Sequence, residues 1–374
     1  MLEAHAKYPA RDPMELECRF PGLRGRLPRA QLTNLPTPVH RLDRLAAELG
    51  IDELWVKRDD QSGVLYGGNK PRKLELLLGV ALAKRKHQVL TFGGIGTHHG
   101  LATALSARSL GLHCILMLLK QPVTQHVRDC LLLDLVAGAE LHYAPSIPRL
   151  AVRTIQVCGR ALARGELPHI IPTGGTSALG TLGYVNAALE LRRQIQAGEL
   201  PEPDCIYVPL GSGGTTAGLV LGAKLAGLRS QVVAVTVTDI LPPSRRRLAA
   251  LATRSLAILR RRCSLVPDVP ITVDDFHIID GYVGASYGAP TVAGRAARDL
   301  IGELEGMRLE TTYTAKCLAA LIDATRSADF RGRRVLFWNT YSSIDPSMHV
   351  GPLPDYRSLP PVFHQFYSDQ LALA

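Results

Sequence analysis

Short apolar segments alternate along the chain with longer segments in which apolar residues recur every three or four positions. The short segments predict β-strands at 54–58, 88–93, 113–119, 140–144, 169–173, 205–210, 232–237 and 334–339. The longer segments predict α-helices at about 41–49, 71–86, 98–110, 124–137, 148–164, 178–198, 215–227, 244–262, 290–305 and 314–326. This alternation is typical of α/β proteins in which helices cover both faces of a parallel sheet.

Both ends of the chain lack the alternation. The first 36 residues are rich in Pro and Arg and are predicted to be irregular. The last 28 residues, which contain Pro352, Pro354, Pro360 and Pro361, are predicted to run over the surface. The total length of 374 residues suits two domains, or one large α/β unit with an inserted lobe.

The charge distribution argues against nucleic-acid binding. The chain has 43 Lys and Arg against 33 Asp and Glu, and much of its formal net charge of +10 comes from the predicted helix 244–262. Apolar residues recur there at helical spacing, so the arginines form a solvated face or attract an acidic small molecule. Neither aromatic residues nor zinc-finger spacing accompany these arginines.

The composition also indicates in which cellular compartment the protein works. No apolar run approaches the roughly 18 to 20 residues that span a bilayer, and the N-terminus has no apolar stretch of the signal-peptide type. Seven cysteines are scattered without a CxxC pair, which argues against a disulfide framework and a structural zinc site. We therefore expect a cytoplasmic protein that has no membrane segment and no bound metal.

Four glycine-rich turns each follow a predicted strand or precede a predicted helix. In an open parallel sheet, ligands bind beyond the carboxyl ends of the strands, where such turns lie. Four of them together suggest a single site. They are Gly67-Gly68-Asn69-Lys70, Gly93-Gly94-Ile95-Gly96-Thr97, Thr173-Gly174-Gly175-Thr176 and the segment 211–218.

The turn 211–218, GSGGTTAG, has the composition of an anion cradle. Glycines let successive backbone N–H groups surround an anion at a helix N-terminus, and the hydroxyls of Ser212, Thr215 and Thr216 add donors. The segment lacks the Gly-Lys-Ser/Thr of a P-loop, and Thr216 replaces the third glycine of the dinucleotide fingerprint. A single phosphate group fits best, and a plain strand–helix turn is the alternative.

Lys70 is the second candidate for a chemical role. It follows two glycines and Asn69 and precedes Pro71, a residue favoured in the first turn of a helix. A helix N-terminus and a nearby cation, Arg72 or Lys73, disfavour the ammonium form of a lysine, which helps it to attack an aldehyde. The alternative is an ordinary surface lysine.

Several motifs in order resemble one enzyme family. GGNKPRKLE, GGIGTHHGLATALSARSLG, PTGGTSALGTLGYV, GSGGTTAGL, GYVGASYG and TYTAK are similar to the D-cysteine desulfhydrase / 1-aminocyclopropane-1-carboxylate deaminase family, from about Leu35 to about Ser343. The resemblance implies pyridoxal 5'-phosphate and an α/β fold of type II, the tryptophan synthase β type, with the cofactor between two lobes. It also implies a large domain, 1–72 with 176–374, an inserted small domain, 73–175, and a homodimer by analogy.

The resemblance assigns roles to individual residues. Lys70 would form the Schiff base and Asn69 would position the cofactor. The helix start at Thr97 would bind the substrate carboxylate, with Thr97 also handling protons, and Tyr287 and Tyr313 would move protons or hold the leaving group. The other residues implied are Gly211, Ser212, Gly213, Gly214, Thr215, Thr216, Thr314 and Thr340 for the cofactor, His98 for both cofactor and substrate, and His99, Gly100 and Tyr341 for the substrate.

Adjacent histidines also have a purely structural interpretation, one ring buried and hydrogen-bonded and the other exposed. Neighbouring helical residues point in different directions, so a metal pair at His98 and His99 is not expected.

Five positions bear on the reaction or on the shape of the pocket. Desulfhydrases carry small hydroxyl residues where this chain has Thr314 and Thr340, whereas deaminases carry Glu and Leu, so cyclopropane opening is disfavoured. His98 replaces the usual Asn, and Tyr341 and Ser342 replace two glycines, which suggests a remodelled pocket.

We therefore expect a lyase that catalyses α,β-elimination on a small amino acid, giving pyruvate, ammonia and sulfide or another leaving group. The alternatives are a deaminase, a β-replacement enzyme or a racemase that uses the same cofactor, and a cofactor-binding protein without turnover.

Overall fold

The computed structural model describes residues 12–240, 243–327, 330 and 332–368. Its strands are β1 (Val39–Arg41), β2 (Glu53–Lys57), β3 (Gln88–Gly94), β4 (His113–Leu119), β5 (Glu140–Ala144), β6 (His169–Ile170), β7 (Cys205–Leu210), β8 (Gln231–Thr236), β9 (His277–Ile279) and β10 (Arg334–Trp338). Its α-helices are α1 (Glu15–Arg19), α2 (Asp43–Leu49), α3 (Lys70–Ala83), α4 (His98–Ser109), α5 (Gln125–Val136), α6 (Ile147–Ala163), α7 (Leu182–Gln196), α8 (Gly214–Ala226), α9 (Arg245–Arg262), α10 (Val292–Glu305), α11 (Thr314–Thr325), α12 (Ser347–Val350) and α13 (Gln365–Ser368).

The strands form two sheets. The larger sheet has the order β1-β2-β10-β7-β8-β9 and is parallel except for β1, and the smaller sheet, β5-β4-β3-β6, is parallel throughout. Strand β10 lies between β2 and β7, with Val335 opposite both Leu54 and Cys205. The chain thus leaves the larger sheet, builds the smaller one and returns to the first, as expected for type II enzymes. The domain boundaries at 72/73 and 175/176 remain a proposal.

Apolar strands and closely packed helices build the core. Every residue of β7 is buried, which matches its continuous apolar sequence CIYVPL and its position between two neighbouring strands. Helices α7 and α8 pack closely because α8 has glycines at the contact. A Cβ atom on Gly218 would lie 2.4 Å from the Cβ atom of Tyr184, and one on Gly222 would lie 2.6 Å from that of Ala188. Larger residues at these two positions would push the helices apart.

All predicted strands and helices have a counterpart in the structure, usually within a few residues at each end. The arginine-rich helix is α9, which buries Leu248, Leu251, Leu256 and Leu259 as its spacing predicts. Two strands were not predicted, β1 and β9, which have three residues each and lie at the edges of the larger sheet. Segments this short show no periodicity that a sequence pattern could detect.

The described parts of the two ends, residues 12–36 and 347–368, differ in part from the sequence prediction, and the prediction for residues 1–11 and 369–374 falls outside the described residues. Residues 15–19 form α1 rather than irregular chain, and α1 packs against α7, where Leu16 N donates to Asn186 Oδ1. The C-terminal segment does not merely run over the surface. Leu359, Phe363 and Phe366 are at most 2% exposed and pack into the core beside the smaller sheet. The prolines shape the path of this segment, but its apolar side chains decide where it lies.

Two expectations from composition can be compared with the structure. The seven cysteines are free thiols, of which Cys18 is exposed. Over the described ranges, no helix is both long and apolar enough for a membrane crossing.

Candidate active site

All four glycine-rich turns line one cavity of about 870 Å³. Two of the turns, at Gly93–Gly94 and at Gly211, follow the carboxyl ends of β3 and β7, one strand from each sheet. The other two turns contribute Gly67, Asn69 and Lys70, and Thr173, Gly174 and Thr176. The structure therefore brings together four segments that are far apart in sequence, as their position beyond the strand ends predicts.

Lys70 is the first residue of α3 and reaches into the cavity. Its Nζ donates to Asn69 Oδ1, while Asn69 Nδ2 donates to Thr215 Oγ1 at 3.2 Å. Burial lowers the pKa of Lys70 to about 8, and the Glu310 carboxylate opposes this shift. The cause differs from the one expected from sequence, because Arg72 faces away from the cavity into carboxylates. A lysine with this pKa is substantially unprotonated near pH 8 and can act as a nucleophile or a base.

A buried ionic cluster holds the start of α3 in place. Arg72 donates from Nη2 to Asp59 Oδ1 at 2.7 Å and from Nη1 to Glu190 Oε2 at 2.9 Å. Glu190 also accepts from Lys57 Nζ at 2.6 Å. Although burial acts to raise it, Arg72 and Lys57 hold the pKa of Glu190 below its usual range. The cluster fixes the backbone two residues after Lys70.

The turn after β7 has the geometry of an anion cradle. Gly213 has a φ of 88°, a left-handed conformation that favours glycine, and α8 begins at Gly214. A Cβ atom on Gly214 would lie 2.9 Å from Thr176 Oγ1, so the open space of the cradle depends on glycine there. Thr216 Oγ1 is buried without a hydrogen-bond partner among the described residues. Backbone N–H groups at a helix start and a free hydroxyl suit a phosphate.

Lys73, which sequence reasoning considered only as a neighbour of Lys70, completes this cradle. It lines the cavity, is 2% exposed and donates to Gly174 O at 3.3 Å. Its Nζ would lie 3.2 Å from a Cβ atom on Gly214. Burial, and then the charge of Lys70, lower the pKa of Lys73 well below its usual value. No carboxylate of the described residues forms an ion pair with it, so the site has a cation that a phosphate can neutralise.

The helix start at Thr97 lies at the other side of the cavity. Thr97 is the N-cap of α4, and its Oγ1 accepts from Gly100 N at 3.2 Å. His99 is 4% exposed, and its Nε2 lies 2.9 Å from Thr91 Oγ1, which itself donates to Ile171 O. Burial, followed by the charges of Lys70 and Lys73, lowers the pKa of His99 to about 3, so this ring is neutral. The free helix N–H groups beside it suit a carboxylate.

The side chain of His98 leaves α4 in a different direction from that of His99 and is half-buried. Its Nδ1 lies 2.6 Å from the hydroxyl of Tyr66, and its Nε2 lies 3.2 Å from Nε2 of His126. The edge of the His98 ring also faces Tyr341, with 5.6 Å between ring centroids. His98 and His99 therefore diverge, as expected. No group of three or more His, Cys, Asp or Glu side chains suited to a metal ion exists in the part of the chain that the structure describes.

Two neighbouring tyrosines, Tyr287 and Tyr313, also line the cavity. The hydroxyls of Tyr287 and Tyr313 are hydrogen-bonded, and burial raises the pKa of both. Both phenols are therefore protonated near neutral pH and can donate. Lys70 Nζ lies 5.9 Å from the centre of the Tyr313 ring.

Glu310 is a further cavity residue that the sequence analysis did not identify. Its carboxylate caps the start of α11 and accepts from the backbone N–H groups of Thr312, Tyr313 and Thr314 at 2.6–3.0 Å. It also accepts from Thr314 Oγ1 at 2.9 Å. The hydroxyl expected at Thr314 is present, but its proton is directed to a carboxylate.

The loop after β10 closes the cavity. Thr340 and Tyr341 line it, and Ser342 Oγ accepts from Gly67 N at 2.8 Å. Burial raises the pKa of Tyr341 to about 12. The side chains that replace two glycines therefore occupy the cavity wall next to the Lys70 turn, as expected.

Most of the predicted site residues line the cavity. Those that do are Asn69, Lys70, Thr97, His98, His99, Gly211, Ser212, Gly213, Thr215, Thr216, Tyr287, Tyr313, Thr340 and Tyr341. Gly100, Gly214 and Thr314 lie behind this first layer and contact it through their backbone or hydroxyl groups. The arrangement joins a lysine of lowered pKa to a phosphate cradle with its own cation, so it fits pyridoxal phosphate, which carries both an aldehyde and a phosphate.

Comparisons with known proteins agree with this geometry. The profile of the family described as "Pyridoxal-phosphate dependent enzyme" matches residues 30–340. A D-cysteine desulfhydrase of Klebsiella pneumoniae (strain 342) is 34% identical over 322 residues, which cover 84% of this chain and 94% of the relative. A D-cysteine desulfhydrase of Salmonella schwarzengrund is 35% identical over 313 residues, 82% of this chain and 90% of the relative.

Solved structures show the same architecture. The crystal structure of an ACC deaminase homologue superposes with a TM-score of 0.74 at 30% identity, covering 91% of this chain and 98% of the homologue. The processed form of threonine deaminase isoform 2 from Solanum lycopersicum superposes with a TM-score of 0.57 at 14% identity and covers 91% of this chain and 88% of that one, which shows a shared fold.

Proposed function

Since the chain belongs to the family of pyridoxal-phosphate-dependent enzymes and is a lyase of that family, we propose that its substrate is D-cysteine or a similarly small β-substituted amino acid. The reaction is α,β-elimination, which releases pyruvate, ammonia and, from cysteine, sulfide. The observation that carries the proposal is the combination of Lys70, with its lowered pKa, and the cradle around Gly214 and Lys73 in one cavity.

Different residues of the site would anchor the cofactor and take part in the reaction. Pyridoxal phosphate supplies an electron sink that stabilises negative charge on the Cα atom of the substrate. The N–H groups at the start of α8, the hydroxyl of Thr216 and the ammonium of Lys73 would hold the phosphate end. Lys70, which lines the same cavity, would be available for the aldehyde of the cofactor.

Lys70 also suits the proton transfer at Cα. Its pKa of about 8 makes Nζ a base of moderate strength near neutral pH. The hydrogen bond to Asn69 Oδ1 restricts Nζ to one side of the cavity, which favours removal of a proton from one face of the substrate.

The start of α4 and the tyrosine pair orient the substrate. The N–H groups after Thr97 bind its carboxylate, and His99, which is neutral, adds no competing charge. Tyr287 and Tyr313 stay protonated, so either hydroxyl can donate a proton to the departing sulfur. These roles rest on the positions of the side chains around one cavity.

Product analysis tests this proposal. With D-cysteine, the wild type should form pyruvate, ammonia and sulfide in equal amounts, and Lys70→Ala should form none. Lys84→Met, at the exposed end of the same helix, is the matched control and should keep wild-type rates. Formation of 2-oxobutanoate from 1-aminocyclopropane-1-carboxylate would instead identify a deaminase, and inversion of the substrate without pyruvate would identify a racemase.

We further propose that the protein acts in the cytoplasm as a homodimer. The scattered free thiols support a reducing compartment, and the dimer rests on analogy with other enzymes of this fold type. Light scattering coupled to gel filtration tests the dimer, which should have twice the 40.5 kDa of one chain.

A further inference from the structure

A line of hydrogen bonds leads out of the cavity through two histidine rings. Tyr66, which is 6% exposed and lines the cavity, has its hydroxyl 2.6 Å from Nδ1 of His98. Nε2 of His98 lies 3.2 Å from Nε2 of His126, and the two rings stack with 4.7 Å between centroids. His126 belongs to α5 and is exposed. The three side chains therefore join the interior of the cavity to solvent.

The position of each proton along this line follows from the groups at its ends. Burial raises the pKa of Tyr66 well above its usual value, so the phenol keeps its proton. His98 Nδ1 is the hydrogen-bond partner of this hydroxyl among the described residues, and we assign the phenol as the donor to it. Burial, then His126 and Lys70, lower the pKa of His98 well below its usual value, so this ring is neutral. A neutral ring that accepts at Nδ1 carries its hydrogen on Nε2 and donates it to His126.

His126 must then accept at Nε2 and carry its own hydrogen on Nδ1. Part of the His126 side chain is exposed, but neighbouring protein atoms partly desolvate its ring, which lowers the pKa of His126 and favours the neutral ring, while Glu310 and Asp129 oppose this shift. Cys130 Sγ lies 3.4 Å from the same Nε2, and burial, then Asp134, raise the pKa of that thiol well above its usual value. Cys130 is thus a thiol and not a thiolate, and it can only reinforce the acceptor role of His126 Nε2. Other groups that act on the relay residues are Lys70, Asp129, Glu310 and Tyr341.

We propose that Tyr66, His98 and His126 form a proton relay between the cavity and solvent, in which His126 is the positioning residue that keeps the hydrogen of His98 on Nε2. Among the described residues, no third His, Cys, Asp or Glu side chain joins these two histidines in a group suited to a metal ion. The use of the relay in turnover rests on the proposed lyase function, whereas the arrangement of hydrogens does not.

One passage of the relay moves a single proton. In the outward direction, the O–H bond of Tyr66 breaks while an N–H bond forms at His98 Nδ1. The His98 Nε2–H bond breaks while one forms at His126 Nε2, and the proton on His126 Nδ1 passes to water. The Tyr66 oxygen regains a proton from the reacting group in the cavity. With the reacting group and the proton on water included, four bonds to hydrogen break and four form, so no oxidant or reductant is needed. The passage leaves both rings in the opposite tautomer, and each ring returns to its starting tautomer before the next proton passes.

Histidine ring NMR tests the arrangement directly on the cofactor-loaded protein labelled with 15N-histidine. The account predicts two neutral rings of opposite tautomer near pH 7.5, His98 protonated at Nε2 and His126 at Nδ1. In His126→Phe, the His98 Nε2 signal should shift because its acceptor is gone. His113→Gln, which removes an exposed, ion-paired histidine of the same lobe, should leave the His98 signals in place. A cationic ring at either position, or His98 protonated at Nδ1, would overturn the proposal.

Turnover provides a second, separate measurement. With D-cysteine at low buffer concentration, His126→Phe should lower kcat by about 100-fold, the lower end of the roughly 10²–10⁴-fold that positioned proton transfer contributes, and leave KM within about twofold. Added imidazole should restore kcat in His126→Phe but not change the wild type, because a soluble base can replace an exposed relay group. Equal activity of His126→Phe and wild type, or a loss that imidazole leaves unchanged, contradicts the relay. If the wild type does not turn over D-cysteine, the substrate proposal fails while the NMR result still decides the hydrogen arrangement.

Discussion

Replacement of Lys73 by Met should change cofactor affinity and protein stability in opposite directions. Lys73 is buried beside the phosphate cradle, donates only to the Gly174 carbonyl at 3.3 Å among the hydrogen bonds of the described residues, and has a pKa lowered by burial and by Lys70. Without a phosphate, the ammonium is desolvated and has no carboxylate in contact. A lysine whose folded-state pKa is lowered destabilises the folded protein below its unfolded pKa, so Met should stabilise the cofactor-free protein at neutral pH.

The affinity change follows from the bond that Lys73 makes to the phosphate. A hydrogen bond to a charged group contributes about 1.5–3 kcal/mol. Because about 1.4 kcal/mol corresponds to a factor of ten, Lys73→Met should weaken binding of pyridoxal phosphate about 10- to 150-fold. Pyridoxal, which has the same aldehyde but no phosphate, should bind Lys73→Met and wild type within about threefold of each other.

Two measurements check this prediction. Equilibrium dialysis of the cofactor-free protein gives the dissociation constants for pyridoxal phosphate and for pyridoxal, and thermal denaturation gives the stability of the same samples. Lys84→Met is the control and should change neither quantity. Equal weakening of both ligands by Lys73→Met, or a lower melting temperature of the cofactor-free variant, would refute the position assigned to Lys73.

Three other substitutions test buried groups outside the cradle. Glu190→Gln should lower the free energy of unfolding by about 3–5 kcal/mol in urea titrations, because Arg72 and Lys57 lose a buried carboxylate; an unchanged midpoint contradicts this. Asp134 is buried without a hydrogen-bond partner in the described chain, and burial raises its pKa well above the usual value, so above about pH 4 the folded protein holds a proton that the unfolded protein releases. This carboxyl therefore lowers stability by up to about 1.4 kcal/mol per pH unit until the pH reaches its folded-state pKa. Asp134→Asn should remove this contribution, so its stability should fall less steeply with rising pH than that of the wild type, and equal slopes in both proteins would show the carboxyl to be paired. Phe363→Ala should cost about 3–5 kcal/mol, whereas exposed Val362→Ala should cost little, as thermal denaturation can show.

The sequence was sufficient for most of the fold because the buried strands are unbroken apolar runs. A strand such as β7, buried on both faces, has no alternation to obscure it. The C-terminal segment differs from the prediction because Leu359, Phe363 and Phe366, which are spaced four and three residues apart as on one helical face, determine its position more than its prolines do. Strands β1 and β9 depend on pairing with their neighbours and have no local signal of their own.

The residues of the candidate site also differ in whether a local sequence pattern can identify them. Lys70 and the glycine turns are local signals, since a helix start and a bend can be recognised from a few adjacent residues. Lys73 had a usable signal, because a residue three positions after Lys70 lies on the same face of a helix. Glu310 had a local signal, since a carboxylate four residues before the first residue of α11 can cap the backbone N–H groups of that helix. His126 had none, since its importance comes from His98, which belongs to another helix. Tertiary contacts of this kind cannot be derived from one sequence alone.

The central claim is that Lys70 and the phosphate cradle serve a lyase acting on a small amino acid. The most direct test is a titration of the pyridoxal-phosphate-loaded protein with D-cysteine, in which visible absorption and pyruvate are followed in one cuvette. We predict a visible band of the lysine-bound cofactor that is lost in Lys70→Ala, shifts on addition of D-cysteine and is followed by accumulation of pyruvate. A wild-type protein that shows no such band, or shows one that D-cysteine and other β-substituted amino acids leave unmoved, would contradict the account.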